Sequence, residues 1–248
     1  MKKIAVVGAG NWGKNLVRNF HELDVLHAVV DPGEDIRARI EHDYPEVRVA
    51  SEMEAVLDAV DAVAIATPVP THHAMALQAM RAGKDVFIEK PMTLTLPEAE
   101  EIVAAADIVM TGHLLLYQPA ISFLKDYLEV GDLGRIFTLH QERCKLGRAR
   151  AVENVTWSFG VHDIAVLLHL TGEQPSAVTA FGHCGVQQGI EDDAYVHLDF
   201  PGGAKASLHV SWLWPEQVRR LTVVGERGMI VFDEQQGCLT LHRKTIGP

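Results

Sequence analysis

Ile4-Ala5-Val6-Val7-Gly8-Ala9-Gly10-Asn11-Trp12-Gly13 is the stretch from which the fold of this chain can be read. Four apolar residues read as a short buried strand. The G-x-G-x-x-G that follows opens onto a helical pattern in which Trp12, Leu16 and Phe20 recur at i, i+4 and i+8. Glycines there permit a tight turn and let a pyrophosphate approach main-chain N–H groups at a helix N-terminus. Asp31 closes the next apolar run (25–30), about 20 residues on, where a carboxylate accepts hydrogen bonds from both ribose hydroxyls. That carboxylate also repels a 2′-phosphate, and Pro32 and Gly33 supply no cation to hold one. The pattern predicts a site for NAD rather than NADP.

Working outward, the runs 47–50, 62–66, 86–88 and 108–110 are short and rich in β-branched residues, and helical patterns lie between them. Ser51-x-x-Glu54 and Thr95-x-x-Glu98 have the spacing of capping boxes, and Gly83 is placed to end a helix. Strand–helix alternation of this kind predicts an α/β fold with a doubly wound parallel sheet. One junction is unusual: a helix over 95–106 runs into the strand at 108 with almost no connector, so either the helix ends early or residues are missing there.

The second half changes period. Ala194, Val196, Leu198 and Phe200 alternate with polar residues, Pro201-Gly202-Gly203 turns the chain, and Ala204, Ala206, Leu208, Val210 and Trp212 alternate again. This predicts an antiparallel hairpin with one buried face. Further strands are expected around 221–224, 229–232 and 238–242. A helix is expected with Val161, Ile164, Ala165 and Leu168 on its buried side, ending at Gly172. Trp212 and Trp214 read as sheet or interface packing.

Composition narrows the function. The chain has 248 residues, 48% hydrophobic and 22% charged, with a formal net charge of −11. That balance argues against nucleic acid and anionic membranes as partners, and no apolar run approaches the ~20 residues of a membrane span. The N-terminus enters the first strand without a signal-like segment, and the three cysteines, Cys144, Cys184 and Cys238, have no metal or disulfide-framework spacing. A cytoplasmic location and no metal are expected, since the 13 histidines include no H-E-x-x-H and the adjacent His72 and His73 do not form a facing pair.

Glu89-Lys90-Pro91 follows the fifth strand, on the side where open α/β sheets bind ligands. Pro91 is a candidate cis proline. At this point the chain resembles the Gfo/Idh/MocA oxidoreductases along its whole length. The resemblance is carried by the glycine motif, Asp31, Thr67-Pro68 followed by His72, and Ala82-Gly83-Lys84 leading to Glu89-Lys90-Pro91. It continues through Gly112-His113, Tyr117-x-Pro119 and a helix bearing His162-Asp163.

The resemblance implies a Rossmann domain over 1–113 and a substrate-binding α+β domain over 114–248, whose large open, mostly antiparallel sheet joins subunits as a homodimer or homotetramer. It implies NAD contacts from Gly8, Gly10, Asn11, Trp12, Gly13, Asp31, Thr67, Pro68, His72, Glu89 and Lys90. Catalysis falls to Lys90 and His162, which are to converge on one alcohol carbon. A histidine can take the hydroxyl proton, and an ammonium can stabilise the developing oxyanion.

The chain also departs from the family pattern. Relatives often carry aspartate where Ser158 stands and arginine where Leu116 stands, and they continue beyond Pro248. Arg143, Lys145, Arg148 and Arg150 are expected in a basic loop that could hold a diphosphate. With His113, Tyr117, Trp157 and His162, that loop suggests a sugar substrate, specifically the 3-hydroxyl of a UDP-N-acetylhexosamine. Two alternatives are a glycosidase that oxidises its substrate transiently and a non-catalytic NAD-binding sensor.

Overall fold

A computed structural model of the chain describes residues 2–147 and 150–244. It divides into two compact units, Met1–Gly112 and His113–Pro248. Among the described residues no helix is long and apolar enough to cross a membrane.

The first unit alternates β1 (Ile4–Val7), α1 (Gly13–Glu22), β2 (Leu26–Val30), α2 (Glu34–Asp43), β3 (Arg48–Ala50), α3 (Glu54–Leu57), β4 (Ala62–Ile65), α4 (His72–Arg81), β5 (Asp85–Ile88), α5 (Leu96–Ala105) and β6 (Val109–Thr111). All strands pair parallel, in the order β3-β2-β1-β4-β5-β6. This is the Rossmann arrangement, with its switch point between β1 and β4. Short strands with Val and Ile on both faces are what a sheet covered by helices on both sides requires. Two separate clusters of buried residues accordingly lie around Ile65 and Ile88 and around Val6 and Val29.

Two local expectations needed correction. Neither Ser51 nor Thr95 makes a side-chain cap bond. Helix α3 begins after Met53, and Thr95 caps α5 only through its carbonyl, which accepts the Ala99 N–H at 3.3 Å. The tight junction is resolved by α5 stopping at Ala105, which leaves residues 106–108 as the connector to β6.

The second unit contains α6 (Pro119–Val130), β7 (Ile136–Leu146), a five-residue π-helical turn (Thr156–Gly160), α7 (Val161–Thr171), β8 (Ala177–His183), β9 (Asp193–Asp199), β10 (Lys205–Ser211), β11 (Leu213–Gly225), β12 (Gly228–Asp233) and β13 (Cys238–His242). The seven strands form one sheet in the order β13-β12-β11-β7-β10-β9-β8. Every pair is antiparallel except β7 with β10. Helices α6 and α7 pack on the face carrying Leu139, Val196, Leu208 and Val223. The opposite face bears Phe181, Tyr195 and His209 as a stack, with His209 and Tyr195 ring centres 4.1 Å apart and Trp214 edge-on to His209.

The buried stripe of α7 is not the expected one. Asp163, Val166, Leu167 and Leu170 are its buried residues, while Val161, Ile164, Ala165 and Leu168 are only partly covered. A carboxylate in the innermost position disguised the true face. The expected basic loop is also revised: Arg143 and Lys145 belong to β7, the central strand, and Arg148 lies outside the described residues.

Candidate active site

In the first unit the site is built at the carboxyl ends of β1, β2, β4 and β5. Gly8 has φ +90°, and a Cβ there would stand 2.8 Å from the Ala66 carbonyl oxygen. A Cβ on Gly13 would fall 1.8 Å from the Gly8 oxygen, so helix α1 can start this close only with glycine. Gly10 differs, because a Cβ there would meet nothing within 4 Å. The turn is therefore closed on two sides by its own backbone and open at its middle glycine, where a pyrophosphate can approach. Asp31 Oδ2 accepts the Ala9 N–H at 2.8 Å and Oδ1 accepts that of Gly33 at 2.8 Å, fixing the carboxylate beside the turn with acceptor capacity remaining. These groups fit a dinucleotide.

Lys90 follows β5, is half-buried, and its bond to Pro91 is cis. Its neighbour Glu89 is the brace. Trp12 Nε1 donates to Glu89 Oε1 at 2.6 Å and the Lys90 N–H reaches Oε2 at 3.3 Å, tying the lysine loop to the glycine turn. Burial pushes the Glu89 carboxyl above the ordinary glutamate value, against the pull of the hydrogen bonds from Trp12 and the Lys90 N–H.

His72 was expected to touch the cofactor, but it braces the loops instead. It is 1% exposed, with Nδ1 3.0 Å from the Pro91 oxygen and Nε2 2.9 Å from the Thr67 oxygen. Both atoms are carbonyl acceptors, so a neutral ring can donate to only one of them. Thr67 is half-buried beneath Thr71, whose hydroxyl donates to it at 2.7 Å, while Pro68 and Asn11 are exposed. No motif marks Arg37 and Arg39, which lie on α2. Arg37 donates to the carbonyls of Asp31 and Pro32, and Arg39 Nη2 to that of Ala9 at 3.2 Å.

In the second unit His162 sits in the first turn of α7, half-buried. Trp157, 40% exposed, is in the π-helical turn just before it, and its N–H donates to Asn154 Oδ1 at 3.0 Å. Tyr117 is exposed in the short 3-10 turn Leu114–Tyr117, which His113 precedes. Ser158 is 2% exposed and accepts Trp212 Nε1 at 3.1 Å, placing it and that tryptophan in the core.

Arg143 needs the firmest correction: it is 7% exposed and fully engaged. Its Nε lies 2.9 Å from both oxygens of Asp163, Nη2 donates to Glu234 Oε2 at 2.9 Å, and Arg219 Nη1 holds Glu234 Oε1 at 2.8 Å. A guanidinium placed on the core side of β7 has no phosphate to meet and must find carboxylates. Complete burial pushes the Asp163 carboxyl up to about 6 in spite of Arg143. Burial also pushes Glu234 up, but Arg143 and Arg219 outweigh it and hold that carboxyl below its ordinary value. Arg150 is paired with Glu153. With Arg143 turned into the core, the described members of the expected cluster, Arg143, Lys145 and Arg150, form no shared anion site. Nor do three or more His, Cys, Asp or Glu side chains among them come together as a metal site.

Comparison with known proteins agrees with this architecture. Residues 2–109 match the family described as "Oxidoreductase family, NAD-binding Rossmann fold", and residues 121–231 match the "GFO/IDH/MocA C-terminal domain". The chain belongs to the Gfo/Idh/MocA family of NAD-binding oxidoreductases. It is similar to UDP-N-acetylglucosamine 3-dehydrogenase of Acidithiobacillus ferrooxidans, with 28% identity over 250 residues covering 99% of this chain and 78% of that protein. A solved structure of that enzyme superposes with a TM-score of 0.88 at 29% identity, covering 98% of this chain and 80% of the other. Another relative is the 2,7-anhydro-N-acetylneuraminate hydratase of Escherichia coli, 28% identical over 264 residues, 95% of this chain and 68% of that one. GenD2 from gentamicin A biosynthesis, solved in complex with NAD, superposes with a TM-score of 0.88 at 25% identity, covering 96% and 74% of the two chains.

Proposed function

We propose that this protein oxidises a secondary hydroxyl of a sugar to a ketone with NAD, and that the sugar is a nucleotide-linked amino sugar. The observation that carries the redox reading is the brace at Glu89. Its 2.6 Å bond to Trp12 roots Lys90 beside a glycine turn that is open at Gly10. Support for the nucleotide-linked sugar comes from the similarity to UDP-N-acetylglucosamine 3-dehydrogenase over 99% of this chain, and no longer from a basic loop.

Bound NAD supplies the acceptor for the hydride leaving the carbon. The Lys90 ammonium orients the alcohol oxygen and stabilises its growing negative charge. His162 takes the hydroxyl proton, so the C–H and O–H bonds break as the carbonyl forms. His113, Tyr117 and Trp157 are the proposed sugar contacts. The exposed rings of Phe181, Tyr195 and Trp214 on the outer face of the second sheet are the proposed surface of a homodimer or homotetramer, and sedimentation of a Phe181→Lys variant as a smaller species than the parent tests it.

Incubation with NAD and UDP-N-acetylglucosamine should raise the absorbance of reduced cofactor. Turnover of free sugars or polyols alone would keep the oxidoreductase and reject the nucleotide-linked substrate. A second reading has the substrate oxidised and then reduced again on the enzyme, leaving no net redox change. The similarity to a hydratase favours keeping it. Product formation with no net cofactor reduction would select it.

A further inference from the structure

The geometry points to Arg143 as a positioning residue that sets the direction of His162 by gripping its neighbour Asp163. The inference rests on the reading of His162 as the proton acceptor. Successive residues of an α-helix are rotated by about 100° around its axis, so fixing one side chain in the first turn fixes the heading of the next. Both oxygens of Asp163 lie 2.9 Å from the same donor, Nε of Arg143 on the central strand β7, so the guanidinium edge faces the carboxylate squarely.

That guanidinium is itself held from behind. Its Nη2 bonds Glu234, just beyond β12, and Arg219 on β11 takes the other oxygen of Glu234. The Glu234 N–H also donates to the Arg219 carbonyl, so the far end of the chain of charges is attached to the sheet's main chain.

The first turn of α7 needs such an anchor. Val166, Leu167 and Leu170 bury the later turns against the sheet, but the turn carrying His162 follows directly on the π-helical segment Thr156–Gly160. Hydrophobic contacts of this kind resist separation more than rotation, whereas a guanidinium whose fork is divided between two carboxylates, Nε on Asp163 and Nη2 on Glu234, is directional. Asp163 occupies the one position of the stripe where an apolar side chain would satisfy packing without specifying a rotation.

The test compares Arg143→Lys, which keeps the charge and loses the fork, with the double variant Arg143→Met/Asp163→Leu, which fills the same space with apolar groups. Each is assayed below its melting temperature. Positioning predicts that kcat falls about 10- to 100-fold in both, while KM for the sugar and Kd for NAD stay within about threefold. It also predicts that the double variant melts close to the parent yet keeps the loss in kcat. The imidazole resonance of His162, assigned with His162→Gln, should move or broaden in both variants, a readout independent of turnover. Parent-like kcat in the folded variants, with an unchanged His162 signal, would overturn the proposal. If the parent protein oxidises no sugar or polyol, the dehydrogenase reading fails separately, and the His162 signal alone decides the role of Arg143.

Discussion

Around Lys90 the fixed points are mostly main-chain atoms. Gly8 and Gly13 allow backbone-to-backbone contact, and Asp31 and His72 are bonded to main-chain N–H and C=O groups. Around His162 the fixed points are charged side chains from four places in the sequence, Asp163, Arg143, Glu234 and Arg219. The first arrangement rests on backbone contact and tolerates little change in side-chain volume. The second rests on charge pairing: it tolerates changes in volume but not the loss of a single partner, because that would strand a buried charge.

The largest effect that would sharpen this contrast is expected at Lys90, the proposed stabiliser of the developing oxyanion. Lys90→Ala should lower kcat about 10²- to 10⁴-fold while NAD affinity stays within a few-fold, measured by steady-state kinetics beside cofactor-fluorescence titration. A parallel loss of both would make Lys90 a cofactor anchor instead.

Next come the glycines. Gly13→Ala drives a methyl into the Gly8 carbonyl and should cost about 3 kcal/mol or more in thermal or denaturant unfolding. Gly10→Ala meets nothing in the protein and should leave unfolding unchanged while NAD binding weakens. Equal effects at the two positions would contradict a turn with one open side.

A smaller effect tests the charged half. The Asp163 carboxyl is pushed from 3.8 to about 6 by burial, so between these pH values the folded state keeps a proton that the unfolded chain has released. That contribution to stability is present below about pH 4 and is lost as pH rises through about 6, amounting to about 3 kcal/mol at most. The difference in unfolding free energy between the parent and Asp163→Asn should therefore fall with pH across this window. A rising difference would mean that Arg143 outweighs burial. The smallest effect is expected for Trp12→Phe, which removes one N–H from Glu89 and should cost about 1 kcal/mol in unfolding or a few-fold in kcat.

The same contrast explains what could be read from the sequence. The glycine motif, Asp31 and Lys90 are legible because backbone demands leave a mark at fixed short spacings. The five strands β1 to β5 are short apolar runs for a related reason. Strand β7 was hidden because its core side reads Leu139, Gln141, Arg143, two polar residues of three, which breaks the apolar alternation. Strand β8 was hidden because every one of its residues is exposed. The rotation of α7 is not legible because its innermost residue, Asp163, is a carboxylate rather than an apolar side chain, and its partners lie 20 residues upstream and, through Arg143, 71 residues downstream. Pairing at such distances leaves no local pattern.

The single parallel contact in the seven-stranded sheet has a consequence for how the molecule is assembled. Strands β7 and β8 point the same way, and α7 bridges them across a gap later filled by β9 and β10. Until that returning hairpin is inserted, the helix has half of its floor missing. His140 of β7 must wait for Ser207, 67 residues further along the chain, to arrive beside it. Closing so long a loop is slow relative to forming local contacts. A nascent chain would accordingly complete its dinucleotide half while the histidine-bearing half still lacked the strands beneath it, and competence for chemistry would be the last property acquired.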